Sequence, residues 1–217
     1  MKKCIILANG HPPLKPVFQY LKNAGYSTLI CADGGANTAM LYKLVPDYII
    51  GDLDSISPKA LNYFTNKSRI IKIKRQNDTD VEKCLKFAIR KRFTEAILLG
   101  ATGDRLDHSL CNLGIVLKFS NRIRITVIHQ KSLLKTYSGN VTIKTVPGEV
   151  ISVYGIKEKT IILSYGLKYP LRNISLPFGE RESTSNITIS EEVKLKIKNG
   201  NVFVVRDFQL MRKHGLI

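Results

Sequence analysis

The acidic side chains of this sequence are few, and most of those in its first 128 positions are grouped. The 217 residues include 17 Asp and Glu against 34 Lys and Arg. The grouped acids fall in four short segments, which contain Asp33; Asp52 and Asp54; Asp78, Asp80 and Glu82; and Asp104 and Asp107. Mg²⁺ at nucleotide sites is usually held by one or two carboxylates together with substrate phosphates. The grouping therefore predicts carboxylates placed for metal-assisted chemistry.

Three of these carboxylates are the candidate metal ligands. Asp52 and Asp54 stand one residue apart in a glycine-containing turn, where both can face one cation. Asp80 lies in the first turn of a predicted helix and can complete the site. The alternative is helix capping, since Asp54 or Ser55 could cap the following helix and Asp80 complements a helix dipole.

Two glycine-rich turns supply candidate contacts for a nucleotide. The turn at 100–108 has free backbone N–H groups before a predicted helix, which suit phosphate, and Arg105 adds a fork of donors. In the turn at 32–37, paired glycines let a ligand approach the backbone, and Asp33 or Asn37 could hold a ribose or base. A plain tight turn is the alternative there. No P-loop or G-x-G-x-x-G pattern is present, which disfavours P-loop kinases and dinucleotide-binding proteins.

The elements that must position these turns alternate between strands and helices. Short apolar runs predict strands at 3–8, 28–32, 47–50, 69–74, 96–100 and 124–129. Helical patterns lie between them at 14–24, 36–44, 58–65, 79–92 and 107–119. Ser57 with a following proline marks one helix start, and Thr79 with Glu82 predicts a capping box at another. This order predicts a parallel, doubly wound, Rossmann-like α/β domain over residues 1–130.

Each acidic segment directly follows a predicted strand. Ligands of open α/β sheets bind outside the carboxyl ends of the strands, so the four segments are expected to converge at one edge. After about residue 130 the helical period gives way to alternating runs, separated by turn signals such as Pro147-Gly148 and Asn199-Gly200. Residues 131–217 are therefore predicted to form an all-β sandwich or barrel domain.

Composition limits the remaining possibilities. The formal net charge of +17 suggests an anionic partner, but Lys and Arg are spread evenly and no nucleic-acid-binding signature accompanies them. No apolar stretch approaches the ~20 residues of a membrane-spanning helix, and the first apolar run is too short for a signal peptide. We expect a soluble, cytoplasmic protein with no membrane association. The four widely spaced cysteines are expected to be buried free thiols.

Taken together, the motifs resemble the thiamin pyrophosphokinase family. The resemblance is carried by ADGGAN (32–37), PDYIIGDLDS (46–55), QNDTDVEKCL (76–85) and GATGDRLDH (100–108). It continues through GLKYPL (166–171), LPFGE (176–180) and STSN (183–186). The motifs span nearly the whole chain in the family's order, so chance similarity is disfavoured.

The resemblance implies an α/β catalytic domain joined to a β-sandwich that binds thiamin, assembled as a homodimer with active sites between subunits. It implies ATP as co-substrate and Mg²⁺ on the acids Asp52, Asp54 and Asp80. On the nucleotide side it implies roles for Thr102, Gly103, Arg105, Asp107 and His108. Further candidate nucleotide contacts are the turn residues Asp33, Gly34, Gly35 and Asn37. On the thiamin side it implies Gln76, Ser185 and Asn186, the last two from the partner subunit; a polar β-turn is the alternative there.

Two positions depart from the family's usual pattern. Asn77 replaces an acid that often precedes this helix start, and Asp104 replaces a glycine beside the phosphate turn. Two other functions stay open on the sequence alone. One is another nucleotide-dependent transferase on the same scaffold. The other is a basic nucleic-acid-binding protein, which would give no reason for carboxylates at four strand ends.

Overall fold

The computed structural model describes residues 1–74, 77–103 and 105–217. By its internal contacts the chain divides into two units, Met1–Gln130 and Lys131–Ile217. The α/β class expected for the first part and the strand-rich class expected for the second are confirmed. No helix of the described residues is long and apolar enough to cross a membrane.

The first unit alternates strands and helices as the sequence predicts. Its strands are β1 (Lys3–Leu7), β2 (Thr28–Ala32), β3 (Tyr48–Gly51), β4 (Arg69–Lys72), β5 (Glu95–Leu99) and β6 (Arg124–His129). Its helices are α1 (Lys15–Asn23), α2 (Gly35–Leu41), α3 (Pro58–Phe64), α4 (Asp80–Arg90) and α5 (Leu106–Phe119). The predicted bounds differ from these by a few residues at element ends.

The six strands of this unit pair in parallel, in the spatial order β6-β5-β1-β2-β3-β4. Strand β1 is buried between β2 and β5, with Ile5 beside Leu29 on one side and Ile97 on the other. Burial on both faces explains why these strands read as continuous apolar runs. The strand order reverses between β1 and β5, and the crevice at such a point is where open α/β sheets bind ligands.

Side-chain caps fix two of the helices that follow acidic segments. The Ser57 hydroxyl accepts a hydrogen bond from the Ala60 N–H at 3.2 Å, and the Thr79 hydroxyl accepts one from the Glu82 N–H at 3.2 Å. Both predicted N-caps are therefore confirmed. The full capping box is wrong, because the Glu82 carboxylate accepts instead from the ammonium groups of Lys86 and Lys118.

The second unit is built on one long strand. Its strands are β7 (Ser132–Lys144), β8 (Val150–Gly155), β9 (Ile161–Tyr165), β10 (Arg172–Ser175), β11 (Ser183–Ile187) and β12 (Glu192–Asp207), and α6 (Phe208–Lys213) follows. β12 pairs antiparallel with β7 along its length, with β9 over 194–198 and with β8 over 202–206. β10 pairs with β9, and β11 with β8.

The predicted turn at Asn199-Gly200 is wrong as a strand boundary. The chain passes through it as an irregularity in the pairing of β12 with β7, between Ile197 and Val202. Asn199 takes up the local distortion with a left-handed backbone, φ 60°. Asn-Gly favours such conformations, which suit a bulge as well as a turn.

A buried ion pair ties the end of β12 to the start of β8. The Arg206 guanidinium donates to both Glu149 carboxylate oxygens, at 2.5 and 2.7 Å, and also to the Lys144 carbonyl at 2.9 Å. Glu149 and Arg206 are 3% and 5% exposed, so neither charge is hydrated. Their mutual bonds offset the cost of taking both charges out of water.

We predict that Arg206→Met lowers the free energy of unfolding by about 3–5 kcal/mol, because it leaves the Glu149 charge buried and unpaired. Lys194→Met in the same strand is the matched control, since Lys194 is exposed. Urea denaturation of both variants measures the difference. Equal unfolding free energies for the two variants would contradict this account of the ion pair.

Candidate active site

A cavity of about 490 Å³ opens at the carboxyl ends of the strands of the first unit. Its lining comes from stretches distant in sequence, within the ranges 8–10, 32–34, 52–55, 78–83 and 100–112. The strand-end segments expected to converge thus do so among the described residues. Gln76 and Asp104, a predicted thiamin contact and the departure in the phosphate turn, lie outside the described residues.

Three carboxylates meet in this region. Asp33, Asp52 and Asp80 each place one oxygen so that all three oxygens lie within 4.8 Å of one another. Asp52 Oδ1 is buried and has no hydrogen-bond partner within the described residues. An orphaned buried carboxylate oxygen is costly unless a cation or water completes it. Asp54, a predicted ligand, lines the same cavity but lies outside this three-residue group.

Asp33 braces the loop that carries Asp52 and Asp54. One carboxylate oxygen accepts the N–H groups of Leu53 and Asp54, at 2.9 and 3.2 Å, and the other accepts that of Ile56 at 2.9 Å. A Cβ at Gly51 would lie 2.7 Å from the Asp33 Cβ, so the glycine makes room for this carboxylate. Asp33 is 1% exposed, and its contact with a ribose or base stays a prediction.

The pKa values of the neighbouring Asp33 and Asp52 carboxyl groups are shifted in opposite directions. Burial raises the pKa of Asp33, and its hydrogen bond with Asp52 raises it further. Burial also opposes ionisation of Asp52, but the hydrogen bond from Asp33 and the Lys83 ammonium outweigh it and lower the pKa of Asp52. Like charges this close disfavour each other's ionisation, so the pKa values of the two carboxyl groups move in opposite directions.

Lys83 is a site residue that the sequence interpretation missed. Its ammonium lies 2.8 Å from Asp80 Oδ1 and 3.7 Å from Asp52 Oδ2, and its side chain is 3% exposed. Burial alone would lower the pKa of Lys83, but the carboxylates of Asp80 and Asp52 outweigh burial and raise it. The available signal was spacing, because residues three apart on a helix share a face.

The glycine-rich turn after β5 lies against the loop after β1. Gly10 N–H donates to the Gly100 carbonyl at 2.7 Å, and His11 N–H donates to the Thr102 carbonyl at 2.9 Å. A Cβ on Gly10 would stand 2.5 Å from the Gly100 oxygen, so only glycine permits this approach. The Asn9-Gly10 loop, which follows β1, therefore forms one wall of the cavity.

Most of the predicted nucleotide contacts of the 100–108 turn line the cavity. Thr102, Gly103, Arg105 and His108 line the cavity. The Thr102 hydroxyl is hydrogen-bonded to His129 Nδ1 at 2.8 Å. The side chains of Arg105 and Asp107 pair through two contacts of 3.2 and 2.5 Å, on the exposed start of α5. The Arg105 guanidinium, with the His108 N–H, lowers the pKa of Asp107 to about 2.

Two other predicted contacts at 32–37 serve packing. The Asn37 amide donates to the Ser55 carbonyl at 3.0 Å and accepts the Ser57 N–H at 2.9 Å, so both of its ends brace the loop before α3. A Cβ on Gly35 would lie 2.1 Å from the Leu7 carbonyl oxygen, so Gly35 allows α2 to approach β1 closely. Gly34, which precedes both of them in this turn, lines the cavity.

An ion network that does not include Asp80 lies at the start of α4. The Lys86 ammonium lies 2.7 Å from Asp78 and 2.8 Å from Glu82, and Lys118 of α5 lies 2.7 Å from the same Glu82 oxygen. Burial would raise the pKa of Glu82, but the ammonium groups of Lys118 and Lys86 outweigh it and lower the pKa. The network joins the loop before α4 to both helices.

In the second unit the two predicted thiamin contacts, Ser185 and Asn186, differ in exposure. The Asn186 side chain is 3% exposed, donates to the Tyr169 carbonyl at 2.7 Å and accepts the Tyr169 N–H at 3.1 Å. Its amide therefore fixes a loop, and its contact with thiamin stays a prediction. Ser185 is exposed and has a left-handed backbone, φ 55°, at a register shift of β11. Backbone strain of this kind often occurs at ligand sites.

These features define the class of protein. A parallel sheet with a ligand crevice at its switch point, carrying a carboxylate cluster opposite a glycine-rich turn, is the arrangement of an α/β enzyme rather than of a polymer-binding surface. Comparison of the sequence with known families identifies the family. The family sequence model for the catalytic domain of thiamin pyrophosphokinase matches residues 18–127, and that for its vitamin B1 binding domain matches residues 140–202. The chain belongs to the thiamin pyrophosphokinase family of enzymes.

Individual relatives agree with this assignment. Thiamine pyrophosphokinase 1 of Oryza sativa subsp. japonica is 32% identical over 197 residues, covering 76% of this chain and 74% of the relative. Thiamine pyrophosphokinase of Bacillus subtilis is 25% identical over 212 residues, covering 95% and 99%. The thiamin pyrophosphokinase structure from Candida albicans has a TM-score of 0.82 at 20% identity, covering 95% of this chain and 89% of that one. At that identity it supports the fold alone.

We predict that Gly51→Ala destabilises the protein by about 1–3 kcal/mol, because the new methyl group forces Asp33 away from the loop N–H groups. Gly114→Ala is the matched control, since nothing lies within 4 Å of a Cβ at that helical position. The control is expected to gain roughly 0.5–1 kcal/mol. Urea denaturation measures both; a neutral Gly51→Ala would contradict the fit between residue 51 and Asp33.

The lowered pKa of Glu82 predicts a pH-dependent contribution to stability. The free energy by which wild type exceeds Glu82→Gln should be fully present above the ordinary glutamate pKa of about 4.3, because the ionised form is the one stabilised. It should shrink as pH falls through the lower folded pKa. Urea denaturation of both proteins from neutral to acidic pH tests this. Glu158→Gln, at an exposed position, controls for general effects; a pH-independent difference would count against the ion network.

Proposed function

We propose that this chain transfers the terminal pyrophosphate of ATP to the hydroxyl of thiamin, releasing AMP, with Mg²⁺ as the metal. The observation that carries the proposal is one cavity that joins a carboxylate cluster with an orphaned oxygen to a glycine-rich turn. The first feature suits a metal and the second suits phosphate. Family membership supplies the acceptor, thiamin.

The donor set fits Mg²⁺. The cluster offers oxygens only, which are the ligands that this ion prefers, and one or two carboxylates suffice when phosphates complete the shell. Asp52 and Asp80 would hold the ion, while Asp33 keeps the loop that carries Asp52 in place through its bonds to backbone N–H groups. Asp54, two residues after Asp52 in the same loop, stays a predicted ligand. When bound, Mg²⁺ would neutralise charge on the triphosphate.

The protein's own residues would orient the reactants. The backbone of the 100–103 turn would bind phosphate oxygens, and Arg105 would stabilise the charge that develops on the leaving group. The thiamin hydroxyl oxygen forms a bond to the β-phosphorus while the bond from that phosphorus to the α-phosphate oxygen breaks. A carboxylate of the cavity accepts the hydroxyl proton. Positioning and charge neutralisation would supply most of the rate enhancement, since no enzyme nucleophile is needed.

The proposal extends to the second unit. The vitamin B1 binding domain of the family matches residues 140–202, which supports thiamin binding by this unit. Ser185 and Asn186 stay the predicted contacts there, and Ser185 offers an exposed hydroxyl at a distorted strand position. A homodimer, a doubly wound Rossmann-like first domain and a β-sandwich second domain complete the proposal. Sedimentation velocity of the purified chain would test the dimer.

The deciding experiment incubates the purified protein with thiamin, ATP and Mg²⁺ and measures thiamin diphosphate and AMP by chromatography. We expect equal amounts of the two products, and loss of both in Asp52→Asn and Asp54→Asn. Arg105→Ala should slow the reaction by ~10²- to 10³-fold, as expected for loss of a donor that stabilises developing charge. Glu158→Gln, at an exposed position of the second unit, should retain the activity.

Two outcomes would overturn the proposal. Folded protein that consumes ATP without forming thiamin diphosphate would point to another acceptor on this scaffold. Folded protein that forms neither product, across several divalent metals and triphosphates, would remove the transferase itself. A rate of Arg105→Ala close to that of wild type would remove only the assigned role of Arg105.

A further inference from the structure

Lys83 lies where a metal ion would have to compete with it. Its ammonium contacts two of the three clustered carboxylates, at 2.8 Å from Asp80 and 3.7 Å from Asp52. The side chain is 3% exposed, so it is held among these groups rather than hydrated. Lys83 also lines the cavity, so the charge stands at the site itself and not behind it.

Such a cation changes what the cluster can bind. Without Lys83, no ion pair among the described residues would remain to Asp33, Asp52 or Asp80, and the repulsion between their carboxylates would favour capture of a divalent ion. With Lys83 in place, its ammonium already neutralises part of the negative charge that would attract a divalent cation. A unit charge a few ångströms away in a partly buried site weakens binding of a second cation by well over tenfold.

We infer that Lys83 is a positioning residue that serves as a resident counter-ion, so that the cluster binds a divalent cation tightly only together with a nucleotide. The inference rests on the proposed metal role of the cluster. The divalent cation would then bind together with the nucleotide. The triphosphate adds oxygen ligands and the negative charge that offsets the Lys83 ammonium. The carboxylates meanwhile stay fixed in the nucleotide-free protein.

Another lysine on the same helix provides the matched control. Lys86 lies one turn further along α4 and pairs with Asp78 and Glu82, neither of which belongs to the three-carboxylate group. Replacing Lys86 removes the same charge from the same helix. An effect of general electrostatics would therefore appear in both variants, whereas a counter-ion role would appear only at Lys83.

The test measures binding of Mn²⁺ to the nucleotide-free protein by electron paramagnetic resonance. Lys83→Met should bind Mn²⁺ at least about tenfold more tightly than wild type, because the competing charge is gone. Lys86→Met should bind it as wild type does. Wild type should bind Mn²⁺ tightly once a non-hydrolysable ATP analogue is added. In Lys83→Met, the gain in Mn²⁺ affinity on adding the analogue should be smaller than in wild type.

A second pair of variants covers the case in which Lys83→Met does not fold. Asp80→Asn with Lys83→Met removes one charge of each sign and relieves the unpaired acid. The double variant should bind Mn²⁺ about tenfold more tightly than Asp80→Asn alone, because Asp80→Asn keeps the Lys83 ammonium but has one carboxylate fewer to oppose it. Thermal melting with and without Mn²⁺ reports on folding in every variant.

The outcomes separate this inference from the proposed function. If wild type with the ATP analogue binds Mn²⁺ tightly but removal of Lys83 tightens nucleotide-free binding in neither background, the counter-ion role is wrong and the metal site stands. An equal gain in Lys86→Met would also overturn the role. If wild type binds no Mn²⁺ even with the analogue, the metal role fails and this inference fails with it.

Discussion

The site depends on one buried carboxylate, that of Asp33. It stands at the end of β2 and accepts three backbone N–H groups from the loop after β3, so two neighbouring strands are joined where the sheet ends. Those bonds fix the loop that presents Asp52, and Gly51 provides the space that the carboxylate needs. The rest of the site builds on this frame: α4 brings Asp80 and Lys83 to the same place. The placement of these carboxylates therefore follows from the hydrogen bonds that satisfy the backbone N–H groups of one loop.

The fold of the first unit could be predicted closely because its signals are local. Apolar β-branched runs mark buried parallel strands, and Ser57 and Thr79 mark helix starts that the structure contains. The second unit was harder. Asn199-Gly200 indicates a left-handed backbone but does not tell whether the chain reverses or continues, since that depends on which strands lie alongside. The pairing of β12 with three other strands is a long-range property that no local pattern carries.

The site could be predicted in position but less well in role. Strand-end acids had to converge once the sheet was parallel, and Asp52 and Asp80 do meet in the structure. What the sequence could not give is which polar groups the fold itself uses. Asn37 and Asn186 look like ligand contacts in their motifs, yet their amides are engaged by backbone groups of neighbouring loops. Lys83 was missed for the opposite reason, since a lysine in a helix is expected to face water.

The expectation that all four cysteines are buried is wrong for Cys111, which faces outward from α5 while Cys4, Cys31 and Cys84 are buried. Burial raises the pKa of the Cys4 thiol to about 12 and those of the other two buried thiols further, so none of the three presents a reactive thiolate at neutral pH. The native chain therefore offers a single site for thiol-directed labelling. A fluorophore attached there would sit on the helix whose first turns line the cavity, and could report on events in that cavity without an engineered cysteine.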